Sequence, residues 1–168
     1  MKRHEHARQE LLNAPTDTDP QSLPYLAGIA KESLRLSKAN PTRFPRIVPP
    51  GPGFQVSGLP VIPPGTNVGL GAYILHRNPD VFPSPDDFLP ERWLEPTPEM
   101  LRDSLAFGAG VRQCIARNFA AAELCWLAEG LIRSGVLCGA KPVDEVIEVM
   151  EWFNAKIVKG RVELCWRE

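Results

Sequence analysis

The sequence predicts an α+β fold that is mainly helical, and three observations support this. Residues 115–134 are rich in Ala, Leu, Glu and Arg, with no Pro and only Gly130 as a weak point, and are therefore predicted to form a long helix. A second helix is predicted at about residues 24–37. Most of the 18 prolines lie between Pro41 and Pro98, so this middle region is expected to form turns, edges and short strands.

Composition narrows the class of protein. A chain of 168 residues that is 43% hydrophobic and 23% charged suits one globular domain with a sizeable core. The net charge of −1 gives no reason to expect nucleic-acid binding. Four cysteines without regular spacing, and no secretory signal, favour reduced thiols. No apolar run approaches the length of a membrane span.

The elements before the long helix are predicted from local signals. Residues 1–12 are polar and charged with a helical bias, and residues 13–21 have the composition of a loop. After the helix at 24–37, residues 41–68 are predicted to form short strands joined by Pro/Gly turns, the clearest at Pro64-Gly65. Residues 72–78 are predicted to form a short helix that ends before Pro79.

The C-terminal part is predicted to contain the long helix and a hairpin. Residues 135–140 turn out of the helix, and residues 146–153 and 161–166 are predicted to pair around Lys159-Gly160. Cys125 is expected to be a small buried residue of the helix. The helix is predicted to present an apolar face to the core through Phe119, Ala122, Leu127 and Leu131.

Residues 107–116, with the sequence FGAGVRQCIA, place one cysteine between a glycine-containing loop and the long helix. Unpaired N–H groups and the helix dipole at the N-terminus stabilise negative charge on the sulfur of Cys114, and Arg112 adds a cation. Gly108 and Gly110 permit positive φ and a close approach to a large flat group. The segment therefore favours a thiolate beside a bulky ligand.

This segment has three other possible interpretations, and its residues exclude two of them. A dinucleotide-binding fingerprint fails because position 113 is Gln rather than Gly and no strand clearly precedes the loop. A zinc site fails because the four cysteines form no Cys-x-x-Cys pair. A plain helix start with a buried thiol remains open on the local residues alone.

The whole pattern, Phe, two residues, Gly, one residue, Arg, one residue, Cys, resembles the proximal heme loop of the cytochrome P-450 family. The resemblance implies that Cys114 is the axial thiolate of heme b (iron protoporphyrin IX), a ligand that favours O–O cleavage. It implies that Arg112 pairs with a propionate, that Phe107 packs near the proximal face and that Gly108 and Gly110 allow close approach. Ala116 departs from the family, which usually has Gly at this position.

The resemblance extends to segments upstream of the loop. Residues 31–36 resemble the Glu-x-x-Arg helix of the family, in which Glu32 and Arg35 join a third charge that is Arg92 here. Such a buried triad is costly unless all its members are present. Arg46 falls where a second propionate-binding arginine sits, with Arg43 as the runner-up. Residues 41–44 and 152–157 are implied to border the substrate pocket.

The resemblance implies a heme-thiolate monooxygenase that inserts one oxygen atom from O2 into a small apolar organic substrate. A redox partner reductase is implied on the proximal face. Residues 1–168 are interpreted as an incomplete C-terminal part of a single catalytic domain, without a membrane anchor and without the distal acid/alcohol pair. A complete eukaryotic member is expected at the endoplasmic reticulum membrane. The alternative is a non-catalytic remnant that binds heme weakly or acts only through protein contacts.

Overall fold

The computed structural model describes residues 2–37, 40, 43–150 and 154–166, with the side chains of residues 2–4 left out. Three helices form its main helical layer: α1 (Lys2–Asn13), α2 (Pro24–Leu36) and α5 (Arg117–Ser134). α5 contacts both α1 and α2, and a 3-10 turn at Pro20–Ser22 leads into α2. The predicted α+β, mainly helical class is thus present.

The start of α2 is held by α1. Pro24 occupies the first helical position, where its missing N–H costs nothing. The Glu10 carboxylate of α1 accepts hydrogen bonds from the backbone N–H groups of Tyr25 and Leu26, each at 2.8 Å. These bonds satisfy two free donors of the helix terminus with a negative charge. α2 therefore has a fixed position relative to α1.

Two apolar clusters lie on either side of α2. The larger cluster joins α1, α2 and α5 through Ala7, Leu11, Leu23, Tyr25, Leu26 and Ile132. The smaller cluster consists of Phe82, Trp93 and Met100, in the segment that follows the strands. Trp93 belongs to a 3-10 turn, Pro90–Trp93, that packs on α2. α2 is therefore the central element of the fold.

The proline-rich middle region forms turns and very short elements, as predicted. Strands β1 (Arg46–Ile47) and β2 (Asn67–Val68) pair antiparallel, with Arg46 opposite Val68. Two short helices follow, α3 (Ala72–Leu75) and α4 (Pro98–Asp103). This region connects α2 to the loop that precedes α5.

The C-terminal strands pair in a nested order that the sequence did not indicate. β4 (Val149–Met150) pairs antiparallel with β5 (Lys156–Ile157). β3 (Ala140–Pro142) pairs with β6 (Leu164–Trp166). The prediction of a hairpin turning at Lys159-Gly160 is wrong, because β5 and β6 on either side of this turn each pair with an earlier strand.

The buried side of α5 also differs from the prediction. Cys125 and Ile132 are buried, whereas Phe119 and Leu127 are 67% and 59% exposed. The physical reason is that α1 and α2 contact the stripe through Cys125, Ala128 and Ile132. Ala122 and Leu131 lie between the two surfaces and are half-buried. In the part of the chain that the structure describes, no helix is long and apolar enough to cross a bilayer.

Candidate functional site

The loop before α5 is folded around two left-handed glycines. Gly108 and Gly110 have φ values of 71° and 67°, which residues with a Cβ rarely adopt. The Cys114 N–H donates to the Phe107 carbonyl at 2.9 Å, and the Gly108 N–H donates to the Leu105 carbonyl at 2.9 Å. These bonds close the loop on itself and hold Cys114 beside Phe107.

Cys114 lies just before the helix rather than in its first turn. α5 begins at Arg117, with Ala116 as its N-cap, instead of at residue 115. The Arg117 N–H donates to the Cys114 carbonyl at 3.4 Å, so the cysteine is connected to the helix start through its backbone. The thiol is exposed. A plain buried thiol at a helix start, the alternative left open by the sequence, is therefore wrong for this cysteine.

An open cavity of about 610 Å³ lies between this loop and the first strand region. Its volume falls within the range of roughly 300–1,000 Å³ that is usual for ligand and cofactor pockets. The loop and the strand region come from parts of the chain about sixty residues apart, as the numbering of the lining residues shows. The described lining residues are Asn40, Arg43, Phe44, Pro45, Arg46, Ala106, Phe107, Gly108, Arg112, Cys114 and Asn154.

The cavity brings together most of the residues predicted to hold a heme. Cys114, Arg112, Phe107 and Gly108 line it from the loop, and Arg46 lines it from β1. Gly110 and Ala116 are not among the described lining residues; Gly110 starts the 3-10 turn that carries Arg112.

Lining residues outside the loop extend the site toward the expected substrate side. Arg43, the alternative propionate residue, and Phe44 both line the cavity, as does Asn154 of the terminal segment. Pro41 and Thr42, and Trp152 and Phe153, lie outside the described residues. No local signal in the sequence distinguishes Asn154 from its neighbours.

The donor set and charge of the cavity fit an anionic macrocycle with a metal that accepts a thiolate. Arg43, Arg46 and Arg112 are cationic, and no described lining residue is acidic. Guanidinium groups suit carboxylates because they present paired N–H donors. The rings of Phe44 and Phe107 supply apolar surface beside the thiol of Cys114. These residue types match those needed to hold a heme.

Outside the cavity lining, the Glu32 carboxylate of α2 is fully buried and surrounded by donors. Arg35 binds it with both Nε and Nη2, at 2.9 and 2.8 Å. Arg92 Nε donates at 3.1 Å, Trp93 Nε1 at 2.8 Å and the Leu89 N–H at 2.9 Å. Burial raises the pKa of Glu32, but these hydrogen bonds outweigh burial and hold the pKa below its usual value. Glu32 is therefore an anion in the folded chain.

Arg35 extends this network to the segment before the loop. Its side chain is fully buried, and its Nη1 donates to the carbonyls of His76 and Pro85 at 2.7 and 2.6 Å. Its Nη2 also donates to the Asp87 carbonyl at 3.1 Å. The structure thus brings Glu32, Arg35 and Arg92 together, and it adds donors and acceptors that the sequence analysis did not identify. Trp93 in particular carried no local signal of this contact.

Sequence comparison gives a family. The sequence profile described as Cytochrome P450 matches residues 2–134. The chain is 42% identical to cytochrome P450 monooxygenase mfmF of Annulohypoxylon moriforme, over 95% of this chain and 34% of that protein. It is 43% identical to cytochrome P450 monooxygenase oblB of Emericella variicolor, over 72% of this chain and 22% of that protein. The chain therefore spans about a third or less of the length of these relatives.

Structural comparison gives the same fold. A retinoic-acid-bound cyanobacterial CYP120A1 superposes with a TM-score of 0.76 at 24% identity, covering 98% of this chain and 38% of that one. A mutant cytochrome P450DA heme domain superposes with a TM-score of 0.72 at 22% identity, covering 99% of this chain and 39% of that one. The profile match over most of the sequence and this shared fold lead to one conclusion. The chain belongs to the cytochrome P450 family of heme proteins.

Proposed function

We propose that this chain supplies the heme-binding part of a heme-thiolate monooxygenase. The observation that supports the proposal most directly is the single cavity that joins Cys114, Arg112 and Arg46. Cys114 would ligate the iron of heme b, and Arg112 and Arg46 would bind its propionates, with Arg43 available beside them. When bound, the heme would supply activation of O2 for the insertion of one oxygen atom into a C–H bond.

The residues of this chain have distinct tasks in that reaction. The glycines at 108 and 110 let the loop turn tightly, so that the thiol of Cys114 reaches the cavity without Cβ atoms in the way. Phe107 would offer its ring to the ligand from the same cavity wall as Cys114, and the guanidinium groups would fix the orientation of an anionic ligand. Glu32, Arg35 and Arg92 hold the 3-10 turn at Pro90–Trp93 against α2.

The substrate proposed is a small apolar organic molecule that approaches past Phe44 and Asn154. One relative, 41% identical over 70% of this chain and 22% of its own length, is named fusicoccadiene C-8 hydroxylase, which supports hydroxylation as the reaction class. Electrons are proposed to come from a reductase that binds the face carrying the 107–116 loop. Of the described lining residues, none is an acid or an alcohol, so no proton donor is assigned to them.

A second candidate is a non-catalytic chain that binds heme weakly or acts only through protein contacts. The observation that favours it is the exposed apolar side of α5, where Phe119, Trp126 and Leu127 contact solvent. Apolar groups exposed in this way favour association with other protein surfaces.

The heme site is tested by spectroscopy on the purified chain. Heme is added, reduced and exposed to carbon monoxide, and a thiolate-ligated Soret band is expected. The Cys114→Ala variant should lack this band, whereas Cys138→Ala, which removes another exposed cysteine, should retain it. Persistence of the band in Cys114→Ala would overturn the ligand assignment. Turnover with a competent reductase then separates the two candidates.

A further inference from the structure

His76 connects the buried network on α2 to Leu105, two residues before the 107–116 loop. Its ring is only 2% exposed and lies between two backbone segments. Nδ1 is 3.0 Å from the Arg35 carbonyl oxygen at the end of α2. Nε2 accepts a hydrogen bond of 2.9 Å from the Leu105 N–H. The imidazole therefore joins two segments that are separated by about seventy residues.

The two contacts require one particular form of the ring. A backbone N–H can only donate, so Nε2 of His76 must present its lone pair to Leu105. A carbonyl can only accept, so Nδ1 must carry the proton that faces Arg35. Only the neutral tautomer with the proton on Nδ1 satisfies both partners. A second proton on Nε2 would place a donor against the Leu105 N–H and abolish that bond.

Leu105 is where the fold of the loop begins. Its carbonyl accepts the Gly108 N–H at 2.9 Å, and the Phe107 carbonyl accepts the Cys114 N–H at 2.9 Å. A change in the position of Leu105 is therefore passed through Gly108 and Phe107 to Cys114. On the other side of the ring, Arg35 is held firmly by Glu32. His76 thus joins the buried Glu32–Arg35 pair to the segment that leads into the loop.

We propose that His76 is a positioning residue that holds the Cys114 loop only while its imidazole is neutral, so that mild acid releases the loop. The link between His76 and the loop is independent of any ligand, whereas its effect on heme rests on the proposed function. His76 is not among the described residues that line the cavity. Its proposed effect on the loop is therefore transmitted through Leu105.

The charges around the ring favour the neutral form. Burial lowers the pKa of His76, and the nearby guanidinium groups of Arg35 and Arg77 lower it further. The Arg35 carbonyl and the Asp103 carboxylate act in the opposite direction, and the net pKa is below 6.5. Asp103 is itself bound by Arg102 at 2.6 Å, and the remaining face of the ring packs edge-on to Phe82.

The sign of the pH effect follows from this shift. Above about pH 6.5 the imidazole is neutral in both the folded and the unfolded chain, so it contributes no pH dependence. As the pH falls below that value, the unfolded chain takes up a proton before the folded chain does, and stability is lost. The loss continues until the pH reaches the lowered pKa of the folded chain. Release of the loop is therefore expected on the acid side of about pH 6.5.

The test uses hydrogen exchange of the full chain without heme. The Leu105 N–H donates both to His76 Nε2 and to the Asp103 carbonyl, the latter at 3.0 Å. Its protection factor, corrected for the intrinsic effect of pH, should fall about tenfold between pH 7.5 and pH 5, as expected for the loss of one of these two hydrogen bonds. His76→Gln retains an acceptor that does not titrate in this range, so its profile should be flat. His6→Gln removes a histidine that contacts Tyr25 instead and should behave like the wild type.

Two results would overturn the proposal. The first is a protection factor of the wild-type Leu105 amide that does not change with pH. The same conclusion would follow if His76→Gln showed the same pH dependence as the wild type. The second is a nitrogen NMR spectrum of the wild-type chain showing the proton of neutral His76 on Nε2, a measurement that needs no variant. With heme added, the thiolate band should be lost at a higher pH in the wild type than in His76→Gln. Absence of that band at every pH would contradict the proposed function, while the exchange result would still decide the role of His76.

Discussion

Replacing Glu32 with glutamine tests whether the buried network supports the fold. The two side chains have nearly the same shape, so the change removes charge with little change in volume. Oε1 accepts from Arg35, Leu89 and Arg92, and Oε2 accepts from Arg35 and Trp93. Whichever oxygen becomes the amide nitrogen, at least two buried donors will face an NH2 group that cannot accept.

The size of the effect follows from burial. The side chains of Glu32 and Arg35 are both 0% exposed, and that of Arg92 is 8% exposed. Removing one partner of a buried ion pair costs about 3–5 kcal/mol, because the other charges stay buried without compensation. For a chain of this length each kcal/mol lowers Tm by roughly 2–4 °C. E32Q is therefore expected to lower Tm by about 6–20 °C.

Thermal unfolding followed by circular dichroism at pH 7 measures this loss. The matched control is E163Q, which removes the same charge from an exposed pair with Arg161, whose side chains are 45% and 73% exposed. Such a surface pair contributes about 0.2–1 kcal/mol, so the control should unfold close to the wild type. Because the pKa of Glu32 is lowered by folding, its contribution is lost as the pH falls from about 4.5, and the gap between E32Q and wild type should narrow there. Equal Tm values for E32Q and E163Q would refute the reasoning.

Two further predictions concern the heme site and the packing of α2. Arg46→Ala and Arg112→Ala should each weaken heme binding about tenfold to a hundredfold, because each removes a charge-assisted hydrogen bond. Spectral titration measures the affinity, and the surface variant Arg161→Ala should bind heme as the wild type does. Unchanged affinity in both variants would remove them from the site. Gly28→Ala places a Cβ 2.8 Å from a backbone oxygen of the packed 3-10 turn and should destabilise the chain by about 1–3 kcal/mol in urea unfolding. Gly130→Ala adds its Cβ in open space on α5 and should stabilise the chain by about 0.5–1 kcal/mol. If both substitutions changed the free energy of unfolding in the same direction, the packing argument would be contradicted.

Features set by neighbouring residues could be predicted from the sequence. The spacing from Phe107 to Cys114 encodes a tight loop, because the two glycines are local requirements of the backbone. Glu32 and Arg35 are three residues apart and therefore lie on one face of α2, because the geometry of a helix is also a local property. The proline content of residues 41–98 excluded long helices there before any tertiary contact was known.

Features that depend on partners distant in sequence could not be predicted. α5 carries apolar residues on several sides, and only contact with α1 and α2 decides that Ile132 is buried while Phe119 and Leu127 are exposed. The nested pairing of β3 with β6 required knowledge of which strand lies beside which. Local spacing contains no information about such choices, because they depend on the free energy of long-range burial and pairing.

The sequence by itself determined the composition of the loop: the cysteine, its neighbouring arginine and the two glycines are all contained in one short segment. Only the tertiary structure decided which other groups meet that segment, placing Arg46 across the cavity and His76 between Arg35 and Leu105. The reason is physical. Backbone conformation at Gly108 and Gly110 is a local property, whereas a hydrogen bond across the fold forms only after burial has brought its two segments together.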